Sequence, residues 1–154
     1  MTHHTIRPTK AEDIPALREV LEATGLFPDE LLPDMLSPFL GGAAEALWLT
    51  SLDGSRPAGF SYSVAEDFAP GTWNMLALAM DPARQGRGHG TALVRATEDH
   101  LRAKGARLLI VDTSGTAPFT RTRRFYAKLG YDEEARIRDF WAPGDDKVTF
   151  RRVL

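Results

Sequence analysis

Residues 72–105 hold the pattern that most restricts how this chain can fold. Thr72-Trp73-Asn74-Met75-Leu76-Ala77-Leu78-Ala79-Met80 is a mostly apolar run that reads as a central strand buried on both faces, and it ends at Asp81-Pro82. The glycine-rich stretch Gln85-Gly86-Arg87-Gly88-His89-Gly90 follows, then a helix with Ala92, Leu93, Ala96, Thr97 and Leu101 on its apolar face, closing near Gly105. A further short strand, Leu108-Leu109-Ile110-Val111, is bounded by Asp112-Thr113-Ser114-Gly115. A buried strand that turns through glycines into a helix and back to a strand needs a layered α/β architecture, in which helices cover the faces of a sheet.

The same loop has a chemical use. Backbone N–H groups and the partial positive charge of a helix N-terminus converge where a glycine turn enters a helix, and this suits an anion. Glycine permits positive φ and a close backbone approach, and Arg84 and Arg87 bring formal charge to the neighbourhood. A P-loop would need a lysine before the Ser/Thr position, and none precedes Thr91. A dinucleotide fingerprint started at Gly86 or Gly88 puts Thr91 or Leu93 at its third small position, so it fails even though Asp112 stands at a suitable distance for a ribose carboxylate.

The flanking elements follow from shorter signals. Thr9-Lys10-Ala11-Glu12 reads as a capping box before a helix carrying Ile14, Leu17, Val20 and Leu21, which should close at Gly25. Asp29-Glu30 open a two-piece helix interrupted by Pro33 and Pro38 and stopped by Gly41-Gly42. Leu47–Leu52 and Ala58–Val64 read as antiparallel strands around the turn at Asp53-Gly54-Ser55. Thr120–Leu129 reads as a short basic helix with Phe125 and Leu129 inward, and residues 136–140 and 148–153 as a terminal hairpin around Pro143-Gly144. With no repeat or linker-like segment, 154 residues predict one domain over 1–154. Its fold class is α/β, a central mixed and mostly antiparallel sheet flanked by helices.

Composition narrows the chemistry. Without cysteine there are no disulfides, no thiolate nucleophile and no thiolate metal site. His3, His4, His89 and His100 show no ligand spacing and read as scattered surface residues, so no metal is expected. No apolar run reaches the length of a membrane span and the N-terminus lacks a signal core, which predicts a cytoplasmic protein without membrane contact. The net charge of −2 conceals an uneven distribution. Residues 1–81 carry 4 basic and 12 acidic side chains, residues 82–128 carry 10 and 3, and residues 129–154 carry 5 and 6.

Gln85-x-x-Gly88-x-Gly90 resembles the Gln/Arg-x-x-Gly-x-Gly/Ala signature of the GNAT N-acetyltransferases, and Phe125-Tyr126-Ala127-Lys128-Leu129-Gly130-Tyr131 resembles their late Phe-Tyr-x-Lys-Leu-Gly-Phe motif. The resemblance is specific over residues 76–131 and general in the first 45. It implies a sheet splayed at a cofactor cleft and acetyl-coenzyme A as cosubstrate. Main-chain groups of Leu78, Ala79 and Met80 would pair with the pantetheine arm, and the loop Gln85, Gly86, Arg87, Gly88, His89, Gly90 and Thr91 would hold the pyrophosphate. Tyr126 matches the tyrosine that protonates the departing thiolate. Many members carry an asparagine seven residues before that tyrosine, where this chain has Phe119; the contact is absent or supplied by Thr120 or Thr122.

The resemblance thus implies acetyl transfer to a primary amine by direct attack in a ternary complex, which gains mainly from orienting two substrates. The amine must lose a proton. Asp112, after the strand at 108–111 where several members carry a glutamate, and Glu66, at the end of the preceding antiparallel strand, are rival bases. Phe27, Glu30 and Met35 fall in the family's variable acceptor-binding segment and are candidate substrate contacts. The acidic first half favours a cationic small-molecule acceptor, with a protein or peptide amine as the alternative. A non-catalytic acyl-coenzyme A sensor would show the same loop. A nucleic-acid module is the rival suggested by Arg121-Thr122-Arg123-Arg124 and Lys128, but no nucleic-acid motif accompanies them and no nucleic-acid partner is expected. The resemblance also allows a homodimer through the C-terminal hairpin.

Overall fold

The computed structural model describes residues 4–154. Elements follow the order β1 (Thr5–Pro8), α1 (Ile14–Thr24), α2 (Leu32–Leu40), β2 (Ala46–Asp53), β3 (Arg56–Ala65), β4 (Thr72–Met80), α3 (His89–Ala103), β5 (Leu108–Ser114), α4 (Thr120–Lys128), β6 (Asp132–Ala142) and β7 (Asp145–Val153). The seven strands lie in the order β1-β2-β3-β4-β5-β7-β6. β4 and β5 are parallel, and β1–β2, β2–β3, β5–β7 and β6–β7 are antiparallel. This is the mixed, mostly antiparallel sheet that the alternation of hairpin signals and one strand–helix–strand unit predicts. The chain folds as two compact units, Met1–Val64 with Leu76–His100 and Ala65–Met75 with Leu101–Leu154.

In the first unit, Leu17, Val20 and Leu21 of α1 and Leu32 and Leu36 of α2 bury against Trp48 and Phe60, with Ala77 and Ala79 completing the cluster. The small residues keep β4 close to β3: a Cβ added at Gly59 would stand 2.6 Å from the Ala79 carbonyl oxygen. Trp48 stacks on Tyr62 at 4.1 Å and on Phe60 at 5.5 Å between ring centroids. α1 closes at Gly25 with φ +66°, as expected, because the left-handed closing position carries no Cβ penalty there. Its start differs from the sequence reading by one residue. Asp13, not Glu12, reaches back to the N–H of Lys10 at 2.9 Å, while Thr9 is buried against Thr50 at 2.8 Å. Asp13 also takes two bonds from Arg7, at 2.7 and 2.8 Å. Burial pushes its carboxyl up, but the bonds from Arg7, the Lys10 N–H and Thr50 outweigh it and hold the group below the usual carboxylate range.

In the second unit, β5 and β7 pair over seven residues from Leu108↔Val153 to Ser114↔Lys147, with Leu109, Val111, Val148 and Phe150 buried. Asp112 therefore lies inside a strand, opposite Thr149, and not at its end; strand propensity is overridden by the partner. Parallel pairing between β4 and β5 includes Thr72↔Leu108 to Asn74↔Ile110. β6 is one of the two edge strands, with β1 at the other end of the order, and is exposed along its whole length. Its register shifts between Ile137 and Ala142, where Asp139 takes φ +55° and exchanges bonds with Asp146 and Gly144.

Candidate active site

β4 reaches the glycine loop through Asp81, whose carboxylate accepts from the Ala83 N–H at 3.0 Å and so caps a 3-10 turn over Pro82–Arg84. Gly86 and Gly88 follow with φ +80° and +81°, a region that L side chains rarely adopt. α3 begins at His89, inside the glycine stretch and two positions earlier than the sequence suggests, so Gly90 and Thr91 belong to its first turn. Gln85 to Gly88 are all exposed. Nothing lies within 4 Å of a Cβ built at Gly86, so two left-handed glycines leave the backbone ahead of a helix N-terminus open to an anion.

Arg84 differs from the expectation. Its guanidinium binds Asp53 at 2.6 Å and also Asp81, so it braces the loop and its charge is balanced; Arg87 carries the exposed charge. His89 is a second correction, being 4 % exposed and not a surface residue. Its Nδ1 lies 3.2 Å from Ser51 Oγ and 3.1 Å from His4 Nδ1. Burial and the neighbouring His4 lower its pKa below the usual histidine value. His4 Nε2 in turn lies 3.3 Å from where a Gly88 Cβ would stand. His3 lies outside the described residues. Among those described, no group of three or more His, Asp or Glu side chains is arranged to hold a metal ion.

On β4, Ala79 is buried and Leu78 and Met80 are half-buried. The strand is not buried on both faces throughout: Leu76 is 53 % exposed. Phe27 packs edge-on against Phe60 at 6.2 Å and Met35 joins the first unit's apolar cluster, while Glu30 is exposed. Phe27 also borders an open groove of about 430 Å³ lined by Glu22 and by Asp29, whose carboxylate accepts from Arg18 at 2.9 Å; Glu30 and Met35 do not line it.

The second unit brings the two rival carboxylates to one amide. Asn74 Nδ2 donates to Glu66 Oε1 at 3.1 Å and to Asp112 Oδ2 at 3.3 Å, and Thr149 Oγ1 donates to Asp112 Oδ1 at 2.6 Å. Asn74 is 6 % exposed and its Oδ1 has no partner among the described residues. Sequence reasoning misses Asn74, whose only signal is a single amide in the apolar run 72–80.

α4 presents Tyr126 inward, 4 % exposed, where the sequence predicts Phe125; Phe125 is half-buried. Phe125, Tyr131 and Phe150 surround the Tyr126 ring at 5.2 to 5.8 Å between centroids. Burial raises its phenol well above the usual value, so the hydroxyl stays protonated. Among the described residues that hydroxyl has no hydrogen-bond partner. Thr120 bonds the Ala117 carbonyl at 2.8 Å, and Phe119 is exposed. Arg123 of the basic helix is spent on the carbonyls of Ser114 and Thr116, both at 2.8 Å.

A mixed sheet whose central strand feeds two left-handed glycines and a helix N-terminus defines an α/β protein with an open glycine loop at the start of a helix. A sequence model of the acetyltransferase (GNAT) family matches residues 14–131, and the chain belongs to this family. The fold is shared with a GNAT-family acetyltransferase structure from Desulfovibrio desulfuricans, at 28% identity and TM-score 0.88, covering 98% of this chain and 99% of that one. It is shared also with the ribosomal-protein-S18-alanine N-acetyltransferase of Escherichia coli (18% identity, TM-score 0.80, 98% and 94% covered). An aminoglycoside 6'-N-acetyltransferase complexed with coenzyme A aligns at 17% identity and TM-score 0.80 over 97% and 96% of the two chains. A search of curated proteins found no match. No helix among the described residues is long and apolar enough to cross a membrane.

Proposed function

We propose that this protein transfers an acetyl group from acetyl-coenzyme A to a primary amine of a small cationic molecule, by direct attack in a ternary complex. The observation that carries this reading is the pair of left-handed glycines, Gly86 and Gly88, set immediately before the N-terminus of α3. The amides of Gly86 to Thr91 would hold the pyrophosphate, with Gln85 and Arg87 beside them, and main-chain groups of Leu78, Ala79 and Met80 would hold the pantetheine arm. The cosubstrate supplies an activated acyl thioester. The chain's own residues supply orientation and proton handling.

An acceptor that arrives as an ammonium must lose a proton before its nitrogen can attack, and the Glu66–Asp112 pair provides carboxylate oxygens for it. The departing sulfur needs a proton, and Tyr126 matches the family's acid and is protonated at neutral pH, the motif and not its burial supporting the role. The acidic first 81 residues and Glu22 in the groove beside Phe27 support a cationic acceptor by electrostatic attraction.

The test begins with a thermal shift on adding acetyl-coenzyme A, followed by thiol release with polyamines, aminoglycosides, amino acids, peptides and a lysine-rich protein as acceptors. The expected result is stabilisation by the thioester and fastest release with a small polycation. Fastest release with a peptide would move the assignment to a peptide amine. Stabilisation without release from any amine would make the protein a sensor and overturn the enzymatic reading.

A further inference from the structure

The two carboxylates that share Asn74 are not equivalent. Asp112 has both oxygens engaged by neutral donors, Oδ1 by Thr149 at 2.6 Å and Oδ2 by Asn74 at 3.3 Å. It also sits inside β5 with its backbone register fixed opposite Thr149. Glu66 has one oxygen, Oε1, engaged by Asn74 at 3.1 Å, and among the described residues Oε2 has no partner. Glu66 lies just past the end of β3, half-buried, with its N–H held by the Thr72 carbonyl at 2.9 Å. One carboxylate therefore has both oxygens bonded to the scaffold, while the other keeps an oxygen in reserve.

We propose that Glu66 is the proton acceptor for the incoming ammonium and that Asn74, anchored through Asp112 and Thr149, is the positioning residue that aims it. This rests on the acetyltransferase reading above and divides roles that the sequence leaves open between Asp112 and Glu66. An N–H bond of the acceptor ammonium breaks, its electron pair stays on nitrogen, and the proton moves to Oε2 of Glu66, leaving a neutral amine and a carboxylic acid. The neutral amine then has the lone pair that attack on a thioester requires. Asn74 cannot take that proton, because its Nδ2 is donating to the carboxylates and an amide oxygen is a poor base. Its contribution is geometric: an amide with two N–H groups, one held by the aspartate, gives the other to Oε1 of the glutamate and leaves Oε2 free.

Steady-state kinetics with the best acceptor found for the wild type decide the matter, using Glu66→Gln, Asp112→Asn and Asn74→Ala, with acetyl-coenzyme A stabilisation measured for each. Glu66→Gln should lower kcat about a hundredfold, in the range expected for a positioned base. Asp112→Asn keeps an oxygen for Thr149 but turns its NH2 toward the NH2 of Asn74, so it should loosen the anchor and lower kcat about tenfold, as Asn74→Ala does and well short of Glu66→Gln. Asn74→Ala should lower kcat by at least about tenfold while leaving the KM for acetyl-coenzyme A and the thermal shift it causes unchanged, a split that a merely structural defect would not give. If Asn74→Ala destabilises the fold, Glu66→Gln, altered outside the strands, decides alone. An active Glu66→Gln enzyme, or an Asp112→Asn loss as large as that of Glu66→Gln, overturns the assignment while the acetyltransferase reading stands. A wild-type protein that releases no thiol with any amine overturns both.

Discussion

The glycine loop and the Asn74 cluster are built from opposite materials. Gly86 and Gly88 make their contribution with backbone alone, through φ angles and the direction of N–H groups at the start of α3. Glu66, Asn74, Asp112 and Thr149 make theirs with side chains contributed by β4, β5, β7 and the turn after β3. A backbone site with φ near +80° strains any residue that carries a Cβ but accepts varied side chains around it. A side-chain site is sensitive to one atom on one residue. Substitutions in the first region should therefore act on binding, and those in the second on turnover.

The largest expected effect breaks the backbone side of this contrast. Gly88→Asp puts a Cβ on a residue at φ +81°, 3.3 Å from His4 Nε2, and adds a negative charge where an anion should sit. Acetyl-coenzyme A binding should fall below detection by calorimetry. Normal binding by this variant would remove the pyrophosphate from the loop.

Tyr126→Phe should have a smaller and different effect. Removing one buried hydroxyl leaves the aromatic packing against Phe125, Tyr131 and Phe150 intact, so kcat should fall about a hundredfold with acetyl-coenzyme A affinity changed by no more than about threefold. Unchanged turnover would take the acid role from Tyr126.

The smallest effect concerns stability alone. His89 has a pKa lowered in the folded state, so the unfolded chain binds more protons as pH falls through the unfolded value near 6.5. Its contribution is present above that pH and is lost as pH falls through the lower folded value. Melting temperature should decline gently from about pH 7 to about pH 5, and His89→Gln should flatten the decline without abolishing acetyl-coenzyme A binding. An equal decline in the variant would place the sensitivity elsewhere.

The contrast also explains what is legible in the chain. Left-handed backbone leaves a trace in composition, since glycine at alternate positions between an apolar strand and a helix has few other uses, and Gln85 to Thr91 stand out for that reason. Most of the sheet is legible because Asp53-Gly54 and Pro143-Gly144 mark hairpins and strand 72–80 is too apolar to lie at an edge. Asn74 is not, because what defines it is register: residue 74 opposite 110 on one strand pair and 112 opposite 149 on the next. His4 and His89 stand 85 residues apart, so no local spacing predicts their contact. Arg84 reads as a ligand contact because a cation beside a glycine loop suggests a phosphate, whereas the salt bridge to Asp53 is a tertiary fact.

The exposed β6 edge bears on how the protein behaves in a crowded solution. An edge strand of eleven residues, exposed throughout and carrying Ile137, Phe140 and Trp141, offers a template on which another extended chain could grow. The left-handed Asp139 interrupts that template, because the strand bends where its carboxylate and backbone turn back to Gly144 and Asp146. Flanked by Arg136 and Arg138, the kink sets charge and curvature against open-ended lateral growth. The hairpin that closes the sheet thus also acts as its guard against fibrous accretion.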